Sequence, residues 1–499
     1  MNEKKVVKIS EYEERKAKLE RLEECGIKSY PADSTRSHLV GDILADFEKF
    51  ESSETVVTVC GRLRSKRVHG NLSFADIEDE SGRIQVAVSK KEVGENYKPF
   101  AKLIDASDFV QITGKVFTTQ TQQKTIMATE WKLLTKTLRG LPTEHFGLKD
   151  EDEKFRKRYL DILLNPDVKK TLQQKSKFWN SVRDFLQDDG FIEVETPVLE
   201  TSAGGADAEP FVTHHNALDM DVYLRISMGE LWQKRLMVAG LEKTFEIGRQ
   251  FRNEGMDAEH LQDYTQMEFY MAYANYEDGM TLVEQLYKYV AQETFGTLKF
   301  KIRDFDVDLG KKWVQYDYTE TIKKETGVDI SVATIDEIEN KLQDLGIKYS
   351  KEGLNLGRAI DSLWKYCRKS IAGPGFLVNL PVTVSPLAKR DSNNKDITQR
   401  FQPIIAGSEL GNGYSELNDP IDQAERFSEQ QKLRDAGDEE AQMHDKDFVE
   451  ALEYGMPPTC GFGMSERVFA FLSNKTTREC QIFPLMKPQN EETKLSEDV

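Results

Sequence analysis

No stretch of the sequence approaches the run of about 18 apolar residues that a membrane-spanning helix requires, so no membrane partner is expected. The opening segment, MNEKKVVKISEYEERK, has neither an apolar core nor a small-residue cleavage site. That argues against secretion and for a cytoplasmic protein. Cysteine is scarce. The five present, Cys25, Cys60, Cys367, Cys460 and Cys480, are scattered, and none forms a C-x-x-C pair. Such usage argues against a disulfide scaffold or a thiolate zinc site. Neither G-x-x-x-x-G-K-[ST] nor a G-x-G-x-x-G placed between a strand and a helix occurs, which removes two common phosphate cradles. Internal repeats and long low-complexity segments are also missing.

Positive charge is in short supply too: 68 Lys and Arg face 86 Asp and Glu, a net −18. Taken over the whole chain, that balance repels phosphates and speaks against a nucleic-acid partner. The charge is segregated, however. Residues 55–140 carry 14 Lys and Arg against 9 Asp and Glu, a local +5, which leaves −23 for the remainder. What is present is ordinary for a globular protein: 38% hydrophobic and 31% charged residues. A length of 499 residues suggests two or three domains.

Residues 10–26 read as a helix, with Ser10 and Glu13 as a capping-box pair, Leu19 and Leu22 as an apolar stripe and Gly26 as a stop. From about 55 to 135 the texture changes. VVTVCGRL, LSFADIED, RIQVAV, DFVQITGKVF and TIMATEWKLL read as five strands, with SGR and TQTQQK as turns and EVGENYKPFAKLI as a helical insert. This pattern suggests a small closed barrel of the OB type. Beyond a charged linker the chain mixes helices and strands without the regular βαβ alternation of a doubly wound sheet. The expected division is a helical extension over 1–54, a barrel over 55–140, a linker over 141–165, a large domain over 166–490 and a polar tail over 491–499.

Three blocks carry the chemistry: GFIEVETPVL (190–199), FEIGRQFRNEGMDAEHLQDYTQMEFYMAY (245–273) and GMPPTCGFGMSERVFAFL (455–472). In this order and spacing they resemble the three signature motifs of class II aminoacyl-tRNA synthetases. With an OB-type barrel in front, the match is to the subclass that charges Lys, Asp or Asn. ERKAKLERLEECGIKSYP, PFVTHHNALDMDVYLRIS, VSPLAKR and GNGYSELNDP narrow the resemblance to the lysyl-tRNA synthetase family, over nearly the whole chain. The fold this implies is α+β: an N-terminal OB-fold β-barrel for the anticodon, then a catalytic domain on a mostly antiparallel sheet flanked by helices. The implied reaction is lysine + ATP + tRNA(Lys) → lysyl-tRNA + AMP + diphosphate. Mg²⁺ is the implied cofactor, and a homodimer with its interface at motif 1, around Pro197, the implied assembly.

The resemblance also implies roles for single residues. Arg252 matches the arginine that bridges the substrate carboxylate and the α-phosphate of ATP, a task for a forked guanidinium. Glu254 matches the reader of the adenine amino group, Tyr264 the aromatic stacked on adenine, His260 a triphosphate contact, and Arg467 the arginine on the opposite adenine face. Glu230 and Glu416 match the two lysine-recognising glutamates. Tyr270, Tyr414 and Asn412 match the remainder of that pocket, and Gly205 and Glu268 match positions near the α-amino group. An ammonium side chain calls for such a set of carboxylates and aromatic walls. In the barrel, Phe74, Gln85 and Glu130 match anticodon-reading positions, and Arg64, Lys66 and Arg67 would hold the RNA backbone.

Departures from the pattern include a short CGFGMSER form of motif 3 and an SMGE stretch at 227–230 that is one residue longer than usual. The metal-binding stretch, R-F-E with a second acid seven positions on, reads RFQPIIAGSEL. Glu409 keeps the second acid, whereas Gln402 replaces the first with an amide, a weaker Mg²⁺ ligand. The motif 2 loop, AEHLQDYT, lacks an arginine common just before the histidine. Two other readings share these residues. One is a synthetase fold that lysylates a protein, against which the barrel speaks. The other is a non-catalytic RNA-binding protein with a decayed catalytic domain, for which Gln402 is the sole support.

Overall fold

The computed structural model describes residues 10–142 and 150–489, apart from Asp207, Met256, 352–353, Pro386 and 436–442. The chain divides into two compact units, Met1–Glu151 and Asp152–Val499. The expected tail, 491–499, and residues 143–149 of the expected linker lie outside the described residues. The next part of that linker is helical, over Glu151–Arg156 and Arg158–Leu164.

In the first unit, helix α1 (Glu11–Glu24) starts where Ser10 Oγ accepts the Glu13 N–H at 3.3 Å. It ends before Gly26, whose φ of +73° supplies the left-handed turn. Leu22 is buried in the barrel core. Arg15 donates to Ala106 O at 3.2 Å and to Thr137 Oγ1 at 2.8 Å. The helix is thus part of the barrel unit and not a separate extension.

Five strands, β1 (Val56–His69), β2 (Leu72–Glu78), β3 (Arg83–Ser89), β4 (Phe109–Thr118) and β5 (Lys124–Thr135), close in the order β1-β2-β3-β5-β4. Alternate residues such as Val57, Val59 and Leu63 on β1, or Ala75 and Ile77 on β2, fill the interior. Gly114 permits the close crossing of β4 and β5, because a Cβ there would lie 1.9 Å from Met127 O.

A buried ion network ties this unit together. Lys136 Nζ donates to Asp105 Oδ2 at 2.6 Å and to Asp108 Oδ2 at 2.8 Å, while Lys18 reaches Asp105 Oδ1 at 2.8 Å. Thr137 donates its N–H and its hydroxyl to Asp108 Oδ1, both at 2.8 Å. The network links α1, the entry to β4 and the exit of β5.

The second unit is built on a nine-stranded sheet. Its path runs Val314–Asp317, Gly375–Val378, Arg400–Ile405, Asn412–Ser415, Thr459–Ser465, Asp263–Ala272, Lys243–Phe251 and Ile192–Glu193, with Ser408–Glu409 paired to the third. Only the two outer pairings are parallel. One face is covered by two long helices, Pro166–Asp188 and Tyr276–Phe295. The first is capped by Asn165 with proline in its first turn, the second by a capping box of Asn275 and Asp278. Phe178 and Val182 on the first helix, and Val283 and Leu286 on the second, pack on Phe245, Phe269, Phe401 and Phe462 of the sheet. Gly279 lets the second helix approach, since a Cβ there would lie 2.5 Å from Cys460 Sγ.

Replacing Lys136 with Met would leave Asp108 buried without its cation, and loss of one partner from a buried pair costs about 3–5 kcal/mol. The expected outcome is a lowered urea midpoint for the first unit with the second unit's transition unmoved. An unshifted first transition would show that the network carries no stability.

Candidate active site

A strand shows alternate residues to opposite faces, and the central strands here are apolar on one face only. On Asp263–Ala272, Met267, Phe269 and Met271 enter the core, while Tyr264, Gln266, Glu268 and Tyr270 face a cavity of about 440 Å³. On Thr459–Ser465, Cys460, Phe462 and Met464 are core, and Gly461, Gly463 and Ser465 line the cavity. The same cavity is lined by Gly205, Glu230, Arg252, Glu254, His260, Gln402, Glu409, Asn412, Tyr414, Glu416 and Arg467. Every residue expected at the catalytic centre therefore lines one site.

One end of this site is acidic. Glu230, Glu268 and Glu416 are all buried. Glu268 accepts from Ser227 Oγ at 3.0 Å, Met228 N at 3.3 Å and Gln266 Nε2 at 2.6 Å. The Tyr270 hydroxyl lies 2.8 Å from Glu230 Oε2 and 3.2 Å from Glu268 Oε2. Burial, and then the Glu230 charge, push the Glu268 carboxyl above its usual range. Burial likewise pushes the Tyr270 and Tyr414 hydroxyls up, so both stay neutral. Glu416 Oε1 is buried and accepts no hydrogen bond from any described residue. The space beside it exists because position 461 is glycine: a Cβ there would lie 2.1 Å from Glu416 Oε1 and 2.6 Å from the Tyr270 ring. Gly205 has φ +87°, and a Cβ on it would lie 2.6 Å from Glu230 Cβ. Asn412 Oδ1 accepts from Arg400 Nε at 2.7 Å, which fixes the amide.

The other end is cationic. Arg252 follows its strand directly. Its Nε donates to Ile226 O at 3.4 Å, its guanidinium lies 5.8 Å from the Tyr264 ring centre, and it forms no ion pair among the described residues. Arg467 does have a partner: its Nη2 donates to Glu259 Oε2 at 2.5 Å, and Arg303 Nη2 donates to Glu259 Oε1 at 2.5 Å. Burial would raise the Glu259 carboxyl, but hydrogen bonds and charge from Arg303 and Arg467 outweigh it and hold it below the usual range. Glu259 occupies the position where the motif 2 loop lacks its arginine. Sequence reasoning noted that absence and missed the ion pair. Exposed His260 is oriented by Asp257, 3.0 Å from its Nδ1, and exposed Glu254 stands on the same loop.

Magnesium needs a set of oxygen ligands. The two expected here are Gln402, an amide, and Glu409, whose oxygens accept from Trp364 Nε1 and Arg368 Nη1. No group of three or more potential ligating side chains occurs among the described residues. Magnesium is commonly held by one or two carboxylates together with substrate phosphates, and of the two expected side chains only Glu409 is a carboxylate. Glu409, expected as a ligand, is an ion-pair partner of Arg368.

In the barrel, Phe74 is half-buried on the outer face of β2, opposite to Ser73, Ala75 and Ile77, so it is not core. It pairs across the sheet with Ala87, and Asp76 pairs with Gln85, which accepts from Thr125 Oγ1 at 3.0 Å. Glu130 is exposed where the β4–β5 register shifts. Arg67 is exposed and Arg64 lies 3.5 Å from Glu78. Lys66 departs from expectation. Its ammonium donates to the carbonyls of Phe100 (3.1 Å), Ala101 (2.9 Å) and Ile104, capping a helix end. Burial brings its pKa down to about 8.

Residues 150–487 match the family model for class II tRNA synthetases (D, K and N), and residues 57–134 match that of the OB-fold nucleic acid binding domain. The chain belongs to the class II aminoacyl-tRNA synthetases of that group. The lysine–tRNA ligase of Thermoanaerobacter pseudethanolicus is 46% identical over 482 residues, 96% of each protein. That of Clostridium tetani is 43% identical over 459 residues, 91% of each, and that of Pectobacterium carotovorum is 42% identical over 492 residues, 96% of this chain and 97% of the relative. These full-length relatives place it, within the class, in the lysine–tRNA ligase family.

With free L-lysine as the ammonium probe, Gly461→Ala is expected to weaken calorimetric binding at least about tenfold, because overpacking a filled site costs on the order of 1–3 kcal/mol. Unchanged affinity would mean that the space beside Glu416 is not where the probe binds.

Proposed function

We propose that the protein activates L-lysine with ATP and transfers it to the 3′ end of tRNA(Lys), as a cytoplasmic enzyme of translation. The observation that carries this reading is the buried Glu416 Oε1, which accepts no hydrogen bond among the described residues and shares one cavity with Glu230, Tyr270, Tyr414 and Arg252, an arginine without an ion pair among those residues. Lysine has an ammonium for the acidic end and a carboxylate for the cationic end. Glu268 and Gly205 border the place for its α-amino group.

In the first step a lysine carboxylate oxygen attacks the α-phosphorus of ATP, and the bond to the β-phosphate oxygen breaks, releasing diphosphate. Such displacement needs alignment and charge neutralisation more than a general base. Arg252 clamps the carboxylate and the α-phosphate by forked hydrogen bonds. Tyr264 and Arg467 hold adenine between them, Glu254 accepts from its amino group, and His260 meets the triphosphate. Magnesium belongs to this reading only as the ion that ATP carries on its phosphates. In the second step a ribose hydroxyl of the tRNA 3′ end attacks the lysyl carbonyl and AMP leaves. The barrel, through Phe74, Gln85 and Glu130, reads the anticodon, with Arg67 on the backbone. Exposed apolar side chains along motif 1, Ile192, Val198 and Leu199, support a homodimer closed by that segment.

Exchange of labelled diphosphate into ATP, run across the twenty amino acids, tests the first step. Lysine alone should support it, and Glu416→Gln should raise the lysine KM about a hundredfold with little change in the ATP KM, since a charge-assisted hydrogen bond is worth about 1.5–3 kcal/mol. Unchanged lysine kinetics in that variant would remove Glu416 from the pocket, and exchange with no amino acid would favour a non-catalytic RNA-binding protein. For the second step, Phe74→Ala should weaken tRNA binding by about 1–3 kcal/mol, the worth of one stacked base, and leave exchange untouched. Full tRNA affinity in the variant would return Phe74 to a packing role.

A further inference from the structure

The acidic end of the site holds one more charged group than two lysine-reading glutamates would need. Lys234, on the helix Trp232–Val238, is fully buried. Its ammonium lies 2.5 Å from Glu416 Oε2 and also donates to Glu230 Oε1, one helical turn back in the chain. It stands 5.6 Å from the Tyr414 ring centre and 5.8 Å from that of Phe448. Glu230, Tyr414 and Glu416 line the cavity, whereas Lys234 does not. The ammonium therefore reaches both acids from behind, and the cavity side of each stays open to a substrate. A lysine acting as a plug would stand in the cavity itself.

Three carboxylates, Glu230, Glu268 and Glu416, are buried at this end, and Lys234 is the one cation in contact with two of them among the described residues. Free lysine has two ammonium groups, and its carboxylate belongs to Arg252. We propose that Lys234 is a specificity-determining positioning residue: an internal counter-ion that neutralises one of three buried carboxylates, so that the pocket presents two negative charges to the two ammonium groups of lysine. This rests on the lysine-activating reading given above. An amino acid with an uncharged side chain leaves one buried acid uncompensated, and that is costly. The balance thus selects for a dication before any contact with the side-chain stem is counted.

Among the described residues no second cation forms an ion pair with Glu230 or Glu416. Glu268 and Tyr270 stand near the pair on one strand, Tyr414 and, beyond it, Arg400 on two others, and the Cys460 thiol on a fourth, turned to the core, where burial pushes its pKa up. Burial drives the Glu416 carboxyl upward, Lys234 pulls it back, and Glu230 pushes it up again. For Lys234, burial lowers the ammonium, but Glu230 and Glu416 outweigh it and keep it charged. Removing that ammonium takes away the charge that pulls the Glu416 carboxyl down, and the lysine ammonium needs that acid ionised.

The test is lysine-dependent ATP–diphosphate exchange from pH 6.5 to 8.5 with Lys234→Met. The ratio of variant to wild-type lysine KM should grow about tenfold from the alkaline to the acid end, since each pH unit below a carboxyl's pKa removes about tenfold of its ionised form. The ATP KM should stay within about twofold. The charge-balanced pair Lys234→Met with Glu416→Gln should regain the melting temperature lost in the single variant and show a pH-independent KM ratio. A folded single variant whose lysine KM ratio is flat with pH, or moves in step with the ATP KM, overturns the proposal. So does failure of both variants to fold, which would make Lys234 structural alone. Absence of lysine-dependent exchange in the wild type would instead overturn the functional reading on which this rests.

Discussion

Three carboxylates held out of water on one face of a sheet impose the main constraint on the catalytic unit. A buried acid must be hydrogen-bonded or paired, or it takes up a proton and ceases to be an acid. Much of the local sequence answers to that requirement. Ser227, Met228 N and Gln266 satisfy Glu268, the Tyr270 hydroxyl bridges Glu230 and Glu268, and Lys234 stands behind Glu230 and Glu416. The opposite face of the same strands is a continuous aromatic core, in which Phe401 and Phe462 stack with ring centres 5.8 Å apart. A slip of one residue in strand register would exchange the two faces, so the core that stabilises the unit also fixes the chemistry of its cavity.

The two arginines of the site are held differently. Arg252 forms no ion pair among the described residues, while Arg467 is already paired with Glu259, itself shared with Arg303. A triphosphate arriving at Arg467 exchanges one anion for another and does not fill an empty cationic hole. Glu259 and Gln402, two of the places where this chain departs from its family's pattern, line the cavity with Glu409, which is paired with Arg368.

Much of this was legible in the sequence. The barrel was, because its strands alternate cleanly and are punctuated by turn residues, and helix α1 was, because Ser10 and Gly26 mark its ends. Motif resemblance named Gly205 and Arg467, 262 positions apart in sequence, as parts of one site, far beyond the reach of periodicity, and both line the one cavity. What stayed hidden was pairing. Lys66 read as a surface cation because its neighbours on β1 are basic, but the end of the helix Tyr97–Leu103 lies against it. Lys234 sits four residues after Glu230, an ordinary spacing for an exposed helical ion pair, and nothing in MGELWQKRL shows that Glu416 closes on it from another strand. Glu409 kept its acid, yet the spacing could not reveal that Arg368 and Trp364 had already engaged it.

The capping of a helix by Lys66 bears on how strongly the barrel attracts a polyanion. Formal charge counts every ammonium alike, but a cation enclosed by three carbonyl dipoles projects little field into solvent. It also releases no counterion when a phosphate arrives. The field at the barrel surface is therefore weaker than its residue tally implies, and it is concentrated where exposed side chains such as Arg67 stand clear of acids. A strand of RNA would be drawn to that edge first and turned there, so the placement of charge sets the direction of approach more than its total sets the strength.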